Sequence, residues 1–297
     1  MRIFTHMKVR RIIRLTILFF CGILTCQHSL EARVPQKRVL RIASFNNQYE
    51  NSYRPWAERR GRVVRLVRDQ RWDVVGMQEP FWGQVKDMSE DFGGEYGWVG
   101  CSTDGLIEDG YWHYNPIFYR LDRIELLDWG RFWFSETPDV PASKSWDTHT
   151  SRFCVWAHFR DRAGGGEFFQ FNCHFDHKGE TARQQSARLV LEKAAQIAGD
   201  KPYFVNGDLN TIQGSPACNI LVEGGLQDTY YTARRRTNTL IASWNNWKPA
   251  QEVEEPCNFD HIFISPGTRA LSWELVTAEY DGKTPSDHYP ITVEWKF

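Results

Sequence analysis

Short apolar runs that stop on, or start from, chemically reactive polar residues recur along this chain, and that regularity limits its folds more than any other feature. Residues 39–45 end at Asn46, residues 73–77 at Gln78 and Glu79, residues 169–173 at His174, and residues 203–206 just before Asp208. Asp260 opens the run 261–265, and Ser286-Asp287-His288 precedes the run 291–295. Apolar runs of about 4–8 residues bounded by turn formers read as strands. Polar residues at their ends then lie where a rigid scaffold presents chemistry.

Helical spacing is found in two places. Residues 56–70 put Val63, Val64, Leu66 and Val67 on one face with charged residues opposite, and residues 180–198 form the clearest amphipathic helix. Residues 116–119 and 124–127 read as a strand pair. Residues 153–159 and 167–172 read as another, joined by the turn Gly164-Gly165-Gly166. Hairpin-like neighbours argue against a purely parallel sheet, so two packed sheets with helices outside fit the order best. No Pro/Gly/Ser-rich linker divides residues 33–297, which are expected to form one domain.

Residues 1–32 differ in character. Lys8, Arg10, Arg11 and Arg14 precede a short apolar run ending at Leu24, the pattern of a secretory signal peptide. Leu24-Thr25-Cys26 is a weak match to a lipoprotein box. Export to the periplasm, the medium or a lipid-anchored position on the outer surface is therefore expected. The whole chain has 36 basic and 37 acidic residues; without the leader, which holds five basic and one acidic, the net charge is −5. Such a chain lacks the broad positive field of a nonspecific duplex binder. Of the seven cysteines, Cys101, Cys154, Cys173, Cys218 and Cys257 lie beyond the leader, and no C-x-x-C pair suggests a zinc ribbon. Cys154 and Cys173 sit in apolar runs and are expected as buried thiols.

Each polar cluster has a chemical reading. A carboxylate fixed at a strand end, as Glu79 is, suits a hard divalent cation, and Asn46 could join it. His174-Phe175-Asp176-His177 places three titratable groups in four residues, which packing does not account for. That stretch is similar to part of the His-x-His-x-Asp-His zinc motif of metallo-β-lactamase-like hydrolases, but the first histidine is replaced by Asn172. Asp208 and Asn210, after Gly207, would share one side of a tight bend and could position a water beside a developing oxyanion. Asp260 could orient a distant imidazole as the third member of a triad does, with His288 as its partner. His261 would face away and is expected to be structural.

Taken in order, Ser44-Phe45-Asn46, Gln78-Glu79, His174, Gly207-Asp208-Leu209-Asn210, Asp260 and Ser286-Asp287-His288 resemble the endonuclease/exonuclease/phosphatase superfamily. Asn115-Pro116-Ile117-Phe118-Tyr119, Phe134-Ser135-Glu136-Thr137-Pro138 and Ser143-Lys144-Ser145-Trp146-Asp147 are similar to secreted bacterial members. The resemblance spans roughly residues 39–297. It implies an α/β fold, more strictly α+β: a four-layer, deoxyribonuclease-like sandwich of two packed mixed β-sheets flanked by helices. It also implies Mg²⁺ or Mn²⁺ bound by Glu79 with Asn46 and Asp287, and catalysis by His174, Asp208, Asn210, Asp260 and His288. Arg152, Asp176, His177 and Arg183 are further candidates for substrate binding. Two positions depart from the pattern: His113, where relatives carry Glu, and Ser243-Trp244-Asn245-Asn246-Trp247, where a glycine-containing loop is expected.

The resulting expectation is a metal-dependent phosphoester hydrolase acting on nucleic acid, a phospholipid head group, or a small sugar or inositol phosphate. No feature calls for an obligate protein partner, and a monomer is expected. The rivals are a zinc-dependent hydrolase of the lactamase type and a catalytically inactive secreted binding protein, whose tryptophans, Trp244 and Trp247 among them, could stack on sugars or bases although most of the 13 are expected in the core.

Overall fold

A computed structural model describes residues 39–297. The expected leader, residues 1–32, with Cys21 and Cys26, lies outside the described residues. Among the described residues no helix is long and apolar enough to cross a membrane.

The elements follow in the order β1 (Val39–Asn46), α1 (Trp56–Gln70), β2 (Val74–Gln78), α2 (Trp82–Phe92), β3 (Tyr96–Val99), β4 (Ile117–Arg120), β5 (Ile124–Trp133), β6 (Phe153–Asp161), β7 (Glu167–His174), α3 (Glu180–Ala198), β8 (Tyr203–Asp208), α4 (Pro216–Glu223), β9 (Gln227–Asp228), α5 (Thr229–Thr232), β10 (Arg235–Thr237), β11 (Asp260–Ile264), β12 (Arg269–Leu275) and β13 (Ile291–Lys296). One sheet runs β10-β12-β13-β1-β2-β4-β3 and the other β5-β6-β7-β8-β11-β9. Both are mixed: β1 is parallel to β2 but antiparallel to β13, and β7 is parallel to β8 while β11 runs antiparallel to it.

Three apolar clusters make four layers. Leu40, Ile42, Val155, Phe204, Ile262 and Trp295 fill the space between the sheets. Ala43 and Phe45, the alternate residues of β1, face the other way onto Val63, Val67 and Met88 of α1 and α2. This is the two-residue period of a strand buried on both faces. On the far side, Phe171, Val205 and Phe263 pack against Ala187, Val190 and Leu221 of α3 and α4. The expected sandwich is therefore the observed one.

One expectation fails. Residues 116–119 and 124–127 do not pair with each other: β4 pairs with β2 and β3, while β5 pairs with β6 in the other sheet. The turn after β4 carries the chain across the sandwich, a crossing that local alternation cannot register. Helix α2 has no clear sequence signature either, because Val85, Met88 and Phe92 are its only strongly apolar buried positions. The cysteines of the described residues are all free, with Cys101, Cys154, Cys173 and Cys218 buried.

Toward the polar edge, the inter-sheet space becomes a hydrogen-bonded amide seam. Gln78 Nε2 and Asn206 Nδ2 both donate to Asn172 Oδ1, at 2.7 and 3.1 Å. Asn172 Nδ2 donates to the Met77 carbonyl at 2.8 Å, and Gln170 Nε2 to Asn206 Oδ1 at 2.8 Å. The seam closes over Gly76, where a Cβ would come within 2.4 Å of Asn206 and 2.6 Å of Asn172. Gly76→Ala is expected to destabilise by about 1–3 kcal/mol through overpacking, measured as a lower urea midpoint. An unchanged midpoint would show that the seam is not tightly packed.

Candidate active site

Strand register gathers the polar residues at one edge of the sandwich. In the parallel pair β1/β2, Asn46 lies opposite Gln78, which puts Glu79 one residue beyond. In β7/β8, His174 lies opposite Asp208, and in the antiparallel pair β11/β8, Asp260 lies opposite the same Asp208. The Ser286-Asp287-His288 turn leads into β13, which pairs with the end of β1 through Ser44 and Ile291. Glycine is required before Asp208: Gly207 has φ +154°, and a Cβ there would lie 1.9 Å from the Cys173 carbonyl oxygen.

The side chains then meet. Asn46 Nδ2 donates to Glu79 Oε1 at 3.1 Å and to Asp208 Oδ2 at 2.9 Å, bridging two carboxylates. His174 Nε2 is 3.6 Å from Asp208 Oδ2 and 3.9 Å from Glu79 Oε1. His288 Nδ1 is 2.8 Å from Asp260 Oδ2, and its Nε2 is 4.0 Å from Asp208 Oδ2. Arg152 Nη1 lies 2.8 Å from both ring nitrogens of His174, and its Nη2 lies 3.2 Å from His177 Nδ1. Asn210 donates its backbone N–H to Asp208 Oδ1 at 2.9 Å and one amide proton to the Phe175 carbonyl at 3.1 Å.

Burial sorts the protonation states. Burial and the neighbouring Arg152 hold His174 well below the usual histidine range, so it is neutral. Burial also opposes charge on His288, but Asp260, Asp208 and Asp287 outweigh it and hold its pKa well above that range. Asp208 is pushed up to about 6, by burial first and then by the charge of Asp260. Burial works against ionisation of Glu79 too, yet His113, the Asn46 hydrogen bond and His288 together hold it below the usual carboxylate range. His113 itself is pushed down to about 4, mainly by burial. The site thus separates two neutral imidazoles, His113 and His174, from one charged imidazole, His288, and one readily ionised carboxylate from one poised as a base.

Glu79 offers a carboxylate oxygen to a divalent cation, and ligand atoms of His113 and His174 lie within 4.8 Å of it. Burial and the like charge of Glu79 raise the Asp287 carboxyl, a repulsion that a cation between them would relieve. Asp287 Oδ2 accepts from Gln48 Nε2 at 2.6 Å. Gln48 is not evident in the sequence; only the sharp turn at its positive φ of 51° brings it here. Arg59, also missed, is buried beneath the turn and donates to the Asn47 carbonyl at 2.5 Å.

Some candidates have other work. The Asp176 carboxylate accepts the backbone N–H groups of His149, Thr150, Lys178 and Gly179, at 2.7 to 3.1 Å. Arg183 Nη1 donates to the Asp176 carbonyl at 3.0 Å. Both are candidates for substrate binding, and in the structure these hydrogen bonds brace the loop that follows His174. Asn172, the gap in the lactamase-like motif, lies in the amide seam between the sheets, so that motif does not form a metal site here. The departing loop at Ser243 clamps the Ser286-Asp287-His288 turn: Tyr289 N donates to the Ser243 carbonyl and Asn245 N to the Asp287 carbonyl, both at 2.7 Å. Ser243 Oγ also accepts from Phe259 N at 2.9 Å, so one loop aligns Asp260, Asp287 and His288. Asp147 caps α3, accepting from Ala182 N at 2.6 Å.

Comparison with known proteins agrees with this geometry. Residues 42–288 match the model of the Endonuclease/Exonuclease/phosphatase family. The structure is similar to a mannosyl-6-phosphatase from Bacteroides thetaiotaomicron VPI-5482, with 35% identity over 87% of this chain and 100% of that one and a TM-score of 0.80. It is similar to an endonuclease/exonuclease/phosphatase family protein from Bacteroides thetaiotaomicron, with 36% identity over 88% and 99% and a TM-score of 0.82. D. rerio TDP2 complexed with single-strand DNA product shares the fold at 20% identity over 88% and 100%, with a TM-score of 0.67. The uncharacterized protein L388 of Acanthamoeba polyphaga mimivirus is 26% identical over 179 residues, which are 56% of this chain and 63% of that protein. The chain spans 22% of a second mimivirus protein, R895.

Proposed function

The chain belongs to the endonuclease/exonuclease/phosphatase family, and on that basis we propose that it is a phosphoester hydrolase activated by a divalent cation, Mg²⁺ or Mn²⁺, held at Glu79 with Asp287. The observation that supports this most is the opposite tuning of two imidazoles around a carboxylate cluster: His174 neutral beside Arg152, His288 charged beside Asp260. A bound cation would supply neutralisation of charge on the phosphoryl group. Asp208, its pKa pushed up to about 6, orients the attacking water and takes its proton. Arg152, His174 and the second amide proton of Asn210 donate to phosphoryl oxygens. His288, held by Asp260, delivers a proton or a hydrogen bond to the departing oxygen.

A cleft of about 320 Å³ has Asp104, Tyr111, Trp112, Lys144, His149 and Ser151 among its lining residues. Chain neighbours link it to the reactive groups, Trp112 through His113 and Ser151 through Arg152. Tyr111 and Trp112 are 74% and 43% exposed, large apolar faces left open next to the chemistry. With a net charge of −5 over residues 33–297 and a relative that is a mannosyl-6-phosphatase, a small sugar phosphate is the favoured substrate. The sugar ring would stack on Trp112.

A panel of sugar phosphates, inositol phosphates, phospholipid head groups and oligonucleotides, run with Mg²⁺, Mn²⁺ and EDTA, tests both levels. Turnover of hexose phosphates that EDTA abolishes is expected; no turnover of any member would instead favour the inactive binding protein. Trp112→Ala should raise KM for the sugar phosphate about 3–10-fold with kcat little changed, since an aromatic contact is worth roughly 0.5–1.5 kcal/mol. The same reading places the enzyme outside the cytoplasm after removal of residues 1–32, which N-terminal sequencing of the exported protein checks.

A further inference from the structure

One imidazole that the proposed chemistry leaves idle faces the same carboxylate. His113 Nε2 is buried and has no hydrogen-bond partner. The ring cannot swing away to find one. It is stacked on Tyr49 at 5.0 Å and 24°, and on Trp112 at 5.0 Å and 12°. Its backbone is tied down as well: the His113 carbonyl accepts from Thr103 N at 3.0 Å, and the next residue, Tyr114, donates to the Pro80 carbonyl at 2.8 Å. A donor or acceptor held rigidly in place and left unpaired calls for an explanation, because desolvating it is unfavourable. Ligand atoms of Glu79, His113 and His174 all lie within 4.8 Å of one another.

We propose that His113 is a nitrogen ligand to the divalent cation held at Glu79, so that this site prefers Co²⁺ and Zn²⁺ to Mg²⁺. The inference rests on the proposed cation at Glu79 and adds the identity of the metal. Mg²⁺ seeks oxygen ligands in near-ideal octahedral geometry and keeps its waters, whereas imidazole suits the later divalent metals. Arg152 lies against both nitrogens of His174, so the assignment rests on Glu79 and His113. His174, given to the phosphoryl oxygens, is not counted among the ligands, and the set is the carboxylates of Glu79 and Asp287 with the His113 nitrogen. This is a different arrangement from the lactamase motif, whose missing position is Asn172.

Titration calorimetry of the metal-free full chain with Mg²⁺ or Zn²⁺ alone, without substrate, tests the assignment. Zn²⁺ is expected to bind at least tenfold more tightly than Mg²⁺. His113→Ala should weaken Zn²⁺ binding at least tenfold while leaving Mg²⁺ within about twofold. His113→Gln, which fills the space better, should do the same, and circular dichroism of both variants verifies that they are folded. The visible bands of bound Co²⁺ should change on losing the nitrogen ligand. Wild-type Zn²⁺ affinity in a folded His113→Gln protein, or no preference over Mg²⁺ in the unmodified chain, overturns the inference. Glu79→Gln separates the two levels. If it abolishes cation binding while the His113 variants do not, only the role of His113 falls. If it changes nothing, the cation site at Glu79 and the hydrolase reading fall together.

Discussion

His288→Ala is expected to lower turnover by about 10²–10⁴-fold, the range of general acid–base catalysis, while substrate binding changes far less. The imidazole lies 2.8 Å from Asp260 and 4.0 Å from Asp208, both buried carboxylates, and their charges hold it protonated. Removing it takes away the proton donor and leaves two buried acids unpaired. Part of that electrostatic cost is avoided because Asp208, with its raised pKa, can take up a proton. The variant should therefore fold, and circular dichroism checks that it does. Asp260→Asn isolates the electrostatic contribution. Without the Asp260 charge, the His288 pKa falls, so the alkaline limb of the pH–rate profile should move to lower pH. A folded His288→Ala protein with near-normal turnover would sink this assignment, and an unmoved alkaline limb in Asp260→Asn would break the link between the two residues.

Asp208→Asn should be as damaging to turnover, again by about 10²–10⁴-fold, because the amide cannot accept a proton from water. Its effect on stability changes with pH. The Asp208 pKa is pushed from the ordinary 3.8 up to about 6, chiefly by burial. Between those values the folded protein holds a proton that the unfolded chain has released, so this group's contribution to stability falls as pH rises through that window. The substituted amide carries no charge and escapes the fall, but its single oxygen can keep only one of the two hydrogen bonds, from Asn46 to Oδ2 or from the Asn210 backbone to Oδ1, so it starts from a constant deficit. Urea denaturation in EDTA from about pH 4 to pH 8 should show the stability difference moving in the variant's favour as pH rises toward 6, then staying constant. Parallel pH dependence of the two proteins would mean that burial does not raise this carboxyl. Such an exchange of stability for activity is common where a site holds charge in a dry place.

Much of the fold was legible for a specific reason. Helix α1 and helix α3 coincide with residues 56–70 and 180–198 because their apolar spacing repeats over four to five turns. The hairpin β6/β7 was legible through its glycine turn and alternation. Short elements were not. Helix α2 has too few apolar turns, and β4 and β5 look like neighbours until the chain is seen to cross between sheets. Among the site residues, those at strand ends stood out because a polar residue after a buried run has no packing role. Gln48, Arg59 and the clamp at Ser243 did not, since nothing local marks a glutamine or a serine as facing a site. His113 was visible only as a departure from the family's pattern, without a hint of what it faces.

Local chemistry along the chain settles the kinds of residue that end each strand, the period that buries the strands on both faces, and the glycines that make Asp208 and the amide seam possible. These depend on interactions over a few neighbouring positions. Which of those ends meet is a matter of three-dimensional packing. Asn46 reaches Asp208 across 162 residues of chain and Gln48 reaches Asp287 across 239. Such contacts are set by register and by the packing of one sheet on another. The protonation states follow the same division: the residue type sets the ordinary pKa, but burial and neighbouring charge, which exist only once the sheets close, make His174 neutral and His288 charged.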